Sequence, residues 1–349
     1  MHNNNNIFKS LTPAVCIDVD GVIKRGSFPI PSALPSIIKL RKYNIPLSIL
    51  TNGGGDTEQS RAHQYSKLLN LPRQHSLTPS EIILCHSPMK DALLKYKHRN
   101  QLLLISGTGN ISNVLLNYGF RNFITTDEYT RMFPEIFPFF YNFSFSKSSI
   151  QHTKDIVSKR IGRPITSFPP IAAIVQLNDL VKWEINSQLF SDILISPNGV
   201  PGKVLNADEP QKVEYHLACL DMLYMDKFPI PRYACGAFFV CLENLVKMRY
   251  GRRIKYIEYG KPSTVLFDYA RRQLIKNNAH RNINKFYMIG DNPDVDIRGA
   301  NCSGFHSILV KTGIFKGKNN SMKFPARTVC NDIGEAVDFI IENEKHNLL

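Results

Sequence analysis

The sequence predicts an α/β protein, a doubly wound parallel sheet whose chain is interrupted by a second α/β unit. Three observations carry this. Short apolar runs at 15–19, 46–50, 102–106 and 286–289 each end in polar or glycine residues, as buried parallel strands do. Segments of helical spacing separate them. The pattern loosens over 128–170, rich in Phe, Pro and Ser, and the α/β style returns after residue 251, as a chain leaving and re-entering one unit would do.

The first strand, 15–19, closes on Asp18-Val19-Asp20-Gly21-Val22. Helical spacing follows over 32–43 through Leu34, Ile37, Ile38 and Leu40, with Ser32 as N-cap, and the strand 46–50 ends in Thr51-Asn52-Gly53-Gly54. Helices are expected near 56–69 and 79–96, a strand at 102–106 before Gly107, and a helix near 110–118. The second unit reads as a strand at 171–176, an amphipathic helix near 182–189, a strand at 192–196 before a Pro-Asn-Gly turn, and a helix near 235–249. Residues 255–258 then lead into Gly260-Lys261-Pro262-Ser263, a helix runs through Leu274, and the strand 286–289 ends in Gly290-Asp291-Asn292.

With 349 residues there is room for one large domain and a smaller one, and 43% hydrophobic with 21% charged residues argues against disorder or a fibrous class. No apolar run approaches the roughly 18 residues of a membrane span, so a soluble chain is expected. Residues 1–12 lack an apolar signal core and carry the run Asn3–Asn6, which predicts a disordered leader; they also lack acids, as a mitochondrial leader would, but hold no Arg. Seven cysteines without a CxxC pair point to buried thiols in a reducing compartment rather than structural zinc.

The net charge of +14 leaves three partners in play: an anionic substrate, nucleic acid, or a negatively charged membrane surface. Between 249 and 285, ten Lys or Arg residues face only Glu258 and Asp268, which is either a solvated helix face or a funnel for anions. No stacking-aromatic pattern or recognition motif supports nucleic acid.

Four clusters carry chemistry. Asp18 and Asp20, two apart at a strand end, converge on one point, where one carboxylate can attack phosphorus while the other trades protons. A strand-end turn would use the same residues. Thr51, Asn52 and Gly53 offer a hydroxyl and accessible backbone N–H groups for a phosphate, although a plain turn reads the same way. Lys261 can neutralise a phosphate or sit on the surface. Asp291 supplies a hard oxygen ligand for magnesium, or a Gly-Asp turn, with Asp294 and Asp296 following.

In this order and at these strand ends, the clusters resemble the four signature motifs of the haloacid dehalogenase-like superfamily. The resemblance implies Asp18 as nucleophile, Asp20 as general acid/base and Lys261 as the phosphate-neutralising base. It implies Thr51, Asn52 and Gly53 as phosphate ligands, and Mg2+ held by Asp18, the backbone carbonyl of Asp20, and Asp291, with Asn292 and Asp296 in support. Superfamily dehalogenases lack an acid at the position of Asp20 and transporting ATPases carry Thr there, so a phosphatase or phosphotransferase is implied.

The likeness extends to the class IIA branch, of the cat-eye-syndrome-critical-region type, from Ala14 onward. It rests on His86-Ser87-Pro88-Met89, Asn178-Asp179 with Trp183, Asp192-Ile193-Leu194, Pro231-Arg232-Tyr233, Gly236-Ala237-Phe238 and Tyr259-Gly260-Lys261-Pro262. Where class IIA lids commonly carry Asn-Pro-Asp near the substrate, this chain has Cys219-Leu220-Asp221, so Asp221 alone is the implied lid contact.

The resulting expectation is a Rossmann-like core at 13–168 plus 251–349 with an α/β cap at 169–250. Its activity would be magnesium-dependent hydrolysis of a small phosphorylated metabolite, glycerophospholipid-related phosphates included. A homodimer is an assembly this allows, and the resemblance implies an intracellular, preferentially mitochondrial location. The alternative is a non-turnover binding or scaffold protein that uses its basic surface.

Overall fold

In the computed structural model, which describes residues 11–138, 145–224, 228 and 230–348, two parallel sheets organise the chain. The first comprises β1 (Leu11–Ile17), β4 (Leu47–Thr51), β5 (Ile82–Leu84), β13 (Asn282–Gly290), β14 (His306–Val310) and β15 (Thr328–Cys330), in the spatial order β15-β14-β13-β1-β4-β5. The second comprises β6 (Leu103–Ser106), β7 (Phe123–Thr125), β8 (Ala173–Gln176), β9 (Glu214–Leu217) and β12 (Ile257–Glu258), in the order β12-β9-β8-β6-β7. Two antiparallel ribbons complete the strands: β2 (Lys24–Arg25) with β3 (Phe28–Pro29), and β10 (Leu223–Tyr224) with β11 (Arg232–Tyr233).

Every residue of β1 after Leu11 is buried because both faces of its sheet are covered. Val15 and Ile17 pack with Ile37, Leu40 and Ile340 on one side, while Ala14 and Cys16 pack with Leu266 and Phe267 on the other. This two-residue alternation is the strand period. From β1 the chain winds through β4 to β5 in one direction and, after the second sheet, through β13, β14 and β15 in the other. The order therefore reverses beside β1, and a ligand site belongs at the carboxyl ends of the strands there.

Several expectations change. The strand expected at 102–106 in the first unit pairs instead in the second sheet, with Leu103 opposite Ala173, and β7 flanks it, so the boundary at 168/169 is too late. By sheet membership the insertion runs from β6 to β12. A strand buried on both faces reads alike in either sheet, so periodicity carries no address. Within the helix expected near 79–96, Ile82–Leu84 is a strand against β4, flanked by a short 3-10 turn and by Pro88.

The loosely patterned region 128–170 contains a helix, Lys147–Ile161. Ser146 caps it by accepting the Ser149 N–H at 3.1 Å and Gly162 ends it in the left-handed conformation, but only Thr153 and Val157 are buried, so its apolar stripe is faint. Residues 192–194, read as strand, finish the helix Trp183–Leu194, whose Ile193 and Leu194 pack with Leu189 and Phe190. Of the expected leader 1–12, residues 1–10 lie outside the described residues and Leu11 and Thr12 open β1. Among the described residues no helix is long and apolar enough to cross a membrane.

Candidate active site

Asp18 stands immediately past β1, with only 6% of its surface exposed. The chain then turns at Gly21, whose φ is +87° and where a Cβ would lie 2.5 Å from Asp291 Oδ2, so both conformation and space require glycine. Lys261 enters from the connection after β12 and is 2% exposed. Its ammonium group donates to Asp18 Oδ1 at 2.5 Å, to Asp296 Oδ1 at 2.6 Å and to the Leu50 carbonyl at 3.0 Å. All three ammonium hydrogens are thus directed.

Asp296 also organises the loop after β13, because its Oδ2 accepts the backbone N–H groups of Asp291 at 3.2 Å and Asn292 at 3.0 Å. Asp291 Oδ2 accepts the Ile314 N–H at 2.5 Å. Carboxylate oxygens of Asp18, Asp291 and Asp296 lie within 4.8 Å of one another, and all three residues are buried. Three buried carboxyls around one ammonium leave negative charge uncompensated. Burial accordingly pushes Asp18 up to about 7, with Lys261 opposing and Asp296 reinforcing the shift. Burial and the neighbouring Asp296 and Asp18 likewise hold Asp291 well above the usual carboxylate range. Burial works against charge on Lys261, but the Asp18 and Asp296 carboxylates outweigh it and raise its pKa. An all-oxygen donor set short of positive charge is the chemistry of a hard divalent cation site.

Every candidate residue from the sequence lines one cleft of about 590 Å³: Asp18, Asp20, Thr51, Asn52, Gly53, Asp221, Lys261, Asp291, Asn292 and Asp296. Their contacts differ from the expected ones at two positions. The Asp20 carboxylate is exposed and paired with Lys24, so the carboxylate cluster contains Asp296 in its place; β1 ends at Ile17, and the turn that follows carries the Asp20 side chain away. The Asn52 side chain, expected on phosphate, is engaged. Its Oδ1 accepts the Lys261 N–H at 2.8 Å, and its Nδ2 donates to the Lys261 carbonyl at 2.8 Å and to both Asp221 oxygens at 3.0 Å. Asn52 thereby links the first sheet to the Lys261 loop and to the insertion. Thr51 Oγ1 accepts the Gly53 N–H at 3.0 Å, which leaves its own hydrogen free to donate. Asn292 Oδ1 caps the following turn through the Asp294 N–H at 3.1 Å.

Lys24, Arg25 and Lys316 also line the cleft, and none of them stood out in the sequence. Arg252 and Arg253, in the basic stretch considered as a funnel, line a separate cavity with Leu194, Leu205 and Ile254, and Arg252 donates to the Glu209 carbonyl at 2.6 Å. On the insertion side, Leu223, Tyr224, Pro231 and Ala234 give the cleft an apolar wall. A largely buried cluster joins the two units: Tyr118 and Ser87 donate to Glu58 Oε1 at 2.6 and 2.7 Å, and His86 Nδ1 lies 2.9 Å from the Tyr118 hydroxyl.

Two family models match the chain. "Haloacid dehalogenase-like hydrolase" covers residues 15–121, which include Asp18, Thr51 and Asn52, and "HAD-hydrolase-like" covers 258–336, which include Lys261, Asp291 and Asp296. The chain belongs to the haloacid dehalogenase-like hydrolases. This haloacid dehalogenase-like hydrolase is 34% identical, over 94% of its length, to a cardiolipin synthase (CMP-forming) / mitochondrial hydrolase fusion protein of Schizosaccharomyces pombe, of which it spans 53%. It is 26% identical to a mitochondrial hydrolase of Saccharomyces cerevisiae, covering 94% of this chain and 95% of that one. Among solved structures, a p-nitrophenyl phosphatase from Archaeoglobus fulgidus superposes with a TM-score of 0.62 at 15% identity, covering 95% of this chain and 99% of that one. A glycerol phosphate phosphatase from Mycobacterium tuberculosis, solved in complex with magnesium, superposes with a TM-score of 0.58 at 16% identity, covering 92% and 74%. At these identities the structural likenesses concern the haloacid dehalogenase-like fold.

Proposed function

We propose that this hydrolase is a magnesium-dependent phosphatase that cleaves phosphomonoesters through an aspartyl-phosphate at Asp18. The observation that carries the reading is the Lys261 ammonium held between Asp18 and Asp296 beside the buried Asp291. Asp18, Asp291 and the backbone carbonyl of Asp20 would hold the magnesium ion, which supplies positive charge to the transferring phosphoryl group. The magnesium in the glycerol phosphate phosphatase neighbour supports this choice of ion.

An Asp18 oxygen attacks phosphorus while the bond to the ester oxygen breaks, and Asp20, at the cleft mouth, gives that oxygen its proton. Water then attacks the phosphoryl group and passes a proton back to Asp20, releasing phosphate and regenerating the Asp18 carboxylate. Lys261 keeps Asp18 ionised against the burial that favours its protonation. Thr51 donates its hydroxyl hydrogen to a phosphoryl oxygen, and Asn52 acts one step back by fixing the Lys261 backbone.

A basic mouth and an apolar wall favour an anionic substrate with an apolar portion, a description that glycerophospholipid-related phosphates meet. The fusion in the fission yeast relative, which joins a hydrolase to a synthase of that lipid class, supports the same substrate, and the names of both relatives support a mitochondrial location. The test is phosphate release by the purified protein from a panel of sugar, nucleotide and glycerophospholipid phosphates. Release that requires magnesium and disappears in Asp18→Asn is expected; release that persists in Asp18→Asn overturns the mechanism.

A further inference from the structure

Cys219 and Cys235 place their sulfurs 2.8 Å apart at the base of the loop that forms the apolar wall. Both thiols are free, and both line the cleft although only 4% and 2% of their surfaces are exposed. Cys219 follows β9, and Cys235 is the first residue of the helix Cys235–Tyr250. Between them the chain carries Asp221, Leu223, Tyr224, Pro231 and Ala234 to the cleft. The Cys235 sulfur also contacts the Cys219 carbonyl at 3.0 Å, and the Cys219 sulfur lies 3.9 Å from the Asn52 carbonyl. The pair therefore sits where the substrate wall, the Asp221 contact and the Lys261 clamp meet.

We propose that Cys219 and Cys235 are a redox modification site, closed to a disulfide by a peroxide and reopened by a dithiol. A disulfide requires its sulfurs at about 2.0 Å, so the two need approach by less than about 1 Å. The Cys219 thiolate attacks the peroxide O–O bond, leaving a sulfenic acid and hydroxide. The Cys235 thiol then displaces the sulfenic hydroxyl. Two thiols lose two protons and two electrons, and the peroxide is reduced to two waters. An external dithiol restores the thiols and leaves as its own disulfide. Donation by the Cys235 and Cys85 thiols holds Cys219 well below the usual thiol range, consistent with Cys219 as the attacking sulfur. Closing the bond draws the Cys219 sulfur from the Asn52 carbonyl and fixes the main chain two residues before Asp221, which couples the thiol state to the cleft.

The test treats the folded full chain, as Cys241→Ser, with hydrogen peroxide, blocks remaining thiols with iodoacetamide and digests with trypsin. That background leaves Cys235 as the single cysteine in its tryptic peptide, and the exposed Cys302 serves as an accessible control. Expected are the Cys219 and Cys235 peptides cross-linked with loss of two hydrogens, reversal by dithiothreitol, and loss of the cross-link in an added Cys235→Ser. Phosphatase activity, where present, should fall with cross-linking and return on reduction. A Cys219 that oxidises to a sulfinic acid, bonds to Cys85, or stays unmodified while Cys302 oxidises overturns the proposal. The mass readout needs no turnover, so its failure is distinct from failure of the phosphatase assignment.

Discussion

Lys261 is the single ammonium group among three carboxyls, and its removal should be felt twice. Lys261→Gln leaves Asp18 and Asp296 without their shared cation, so without added metal the variant should unfold about 3–5 kcal/mol more easily, the usual result of breaking a buried pair from one side. Denaturant titration of both proteins in chelator measures this. The pH dependence follows from Asp18. Its folded carboxyl is pushed up to about 7 from an ordinary 3.8, so the folded metal-free protein binds that proton more tightly than the unfolded chain. The associated stability is full below about pH 4 and is lost as pH rises towards 7. Magnesium needs the ionised form, so the rise in melting temperature on adding it should be larger at pH 8 than at pH 5. An equal rise at both pH values would remove Asp18 from the metal site. At this scale the sequence made the site legible as residue types at strand ends. The Asn52 clamp and the Asp20–Lys24 pair were not legible, since Asn52 meets Lys261 from 209 positions away and the Asp20 side chain leaves the strand it was read on.

Strands and helices deliver those residues through close backbone contacts. At the end of β13, a Cβ on Gly290 would lie 2.2 Å from the Asp296 Cβ, so Gly290→Ala must displace the carboxylate that holds Lys261 and the Asp291 loop. An overpacking cost of about 1–3 kcal/mol is expected together with loss of turnover, read by unfolding and by phosphate release. Ser146→Ala tests a cap far from the chemistry: it should cost about 1 kcal/mol and leave turnover intact. The elements read best were those with an apolar stripe, such as Ala33–Lys42 and Thr264–Asn277, although Ser32, expected to cap the first, makes no capping hydrogen bond. Lys147–Ile161 escaped because it buries so few residues, and Ile82–Leu84 because a buried apolar triplet fits a helix or a strand equally.

Across the whole molecule, the presence of an α/β insertion was legible but its beginning was not, because both sheets are parallel and built from similar apolar runs. The positive charge was visible in the composition; the cleft is lined by Lys24, Arg25 and Lys316 and, from the denser 249–285 stretch, by Lys261, while Arg252 and Arg253 line a separate cavity. Arg25, exposed in the β2–β3 ribbon, should steer anions to the cleft. Arg25→Gln should lower kcat/KM at low ionic strength, and the deficit should shrink in salt as the Debye length falls below about 10 Å. A deficit that does not change with salt would make Arg25 a contact residue instead. The position of β1 has a further consequence, for biosynthesis. Its principal neighbour is β13, made about 270 residues later, so at about 5–20 residues per second the first strand waits on the order of 15–60 s on the ribosome for its partner. The intervening unit, whose five sheet strands pair with one another, can assemble during that wait. Asp18 and Asp291 then meet only once β13 has emerged, so the carboxylate cluster forms after the intervening unit has been made.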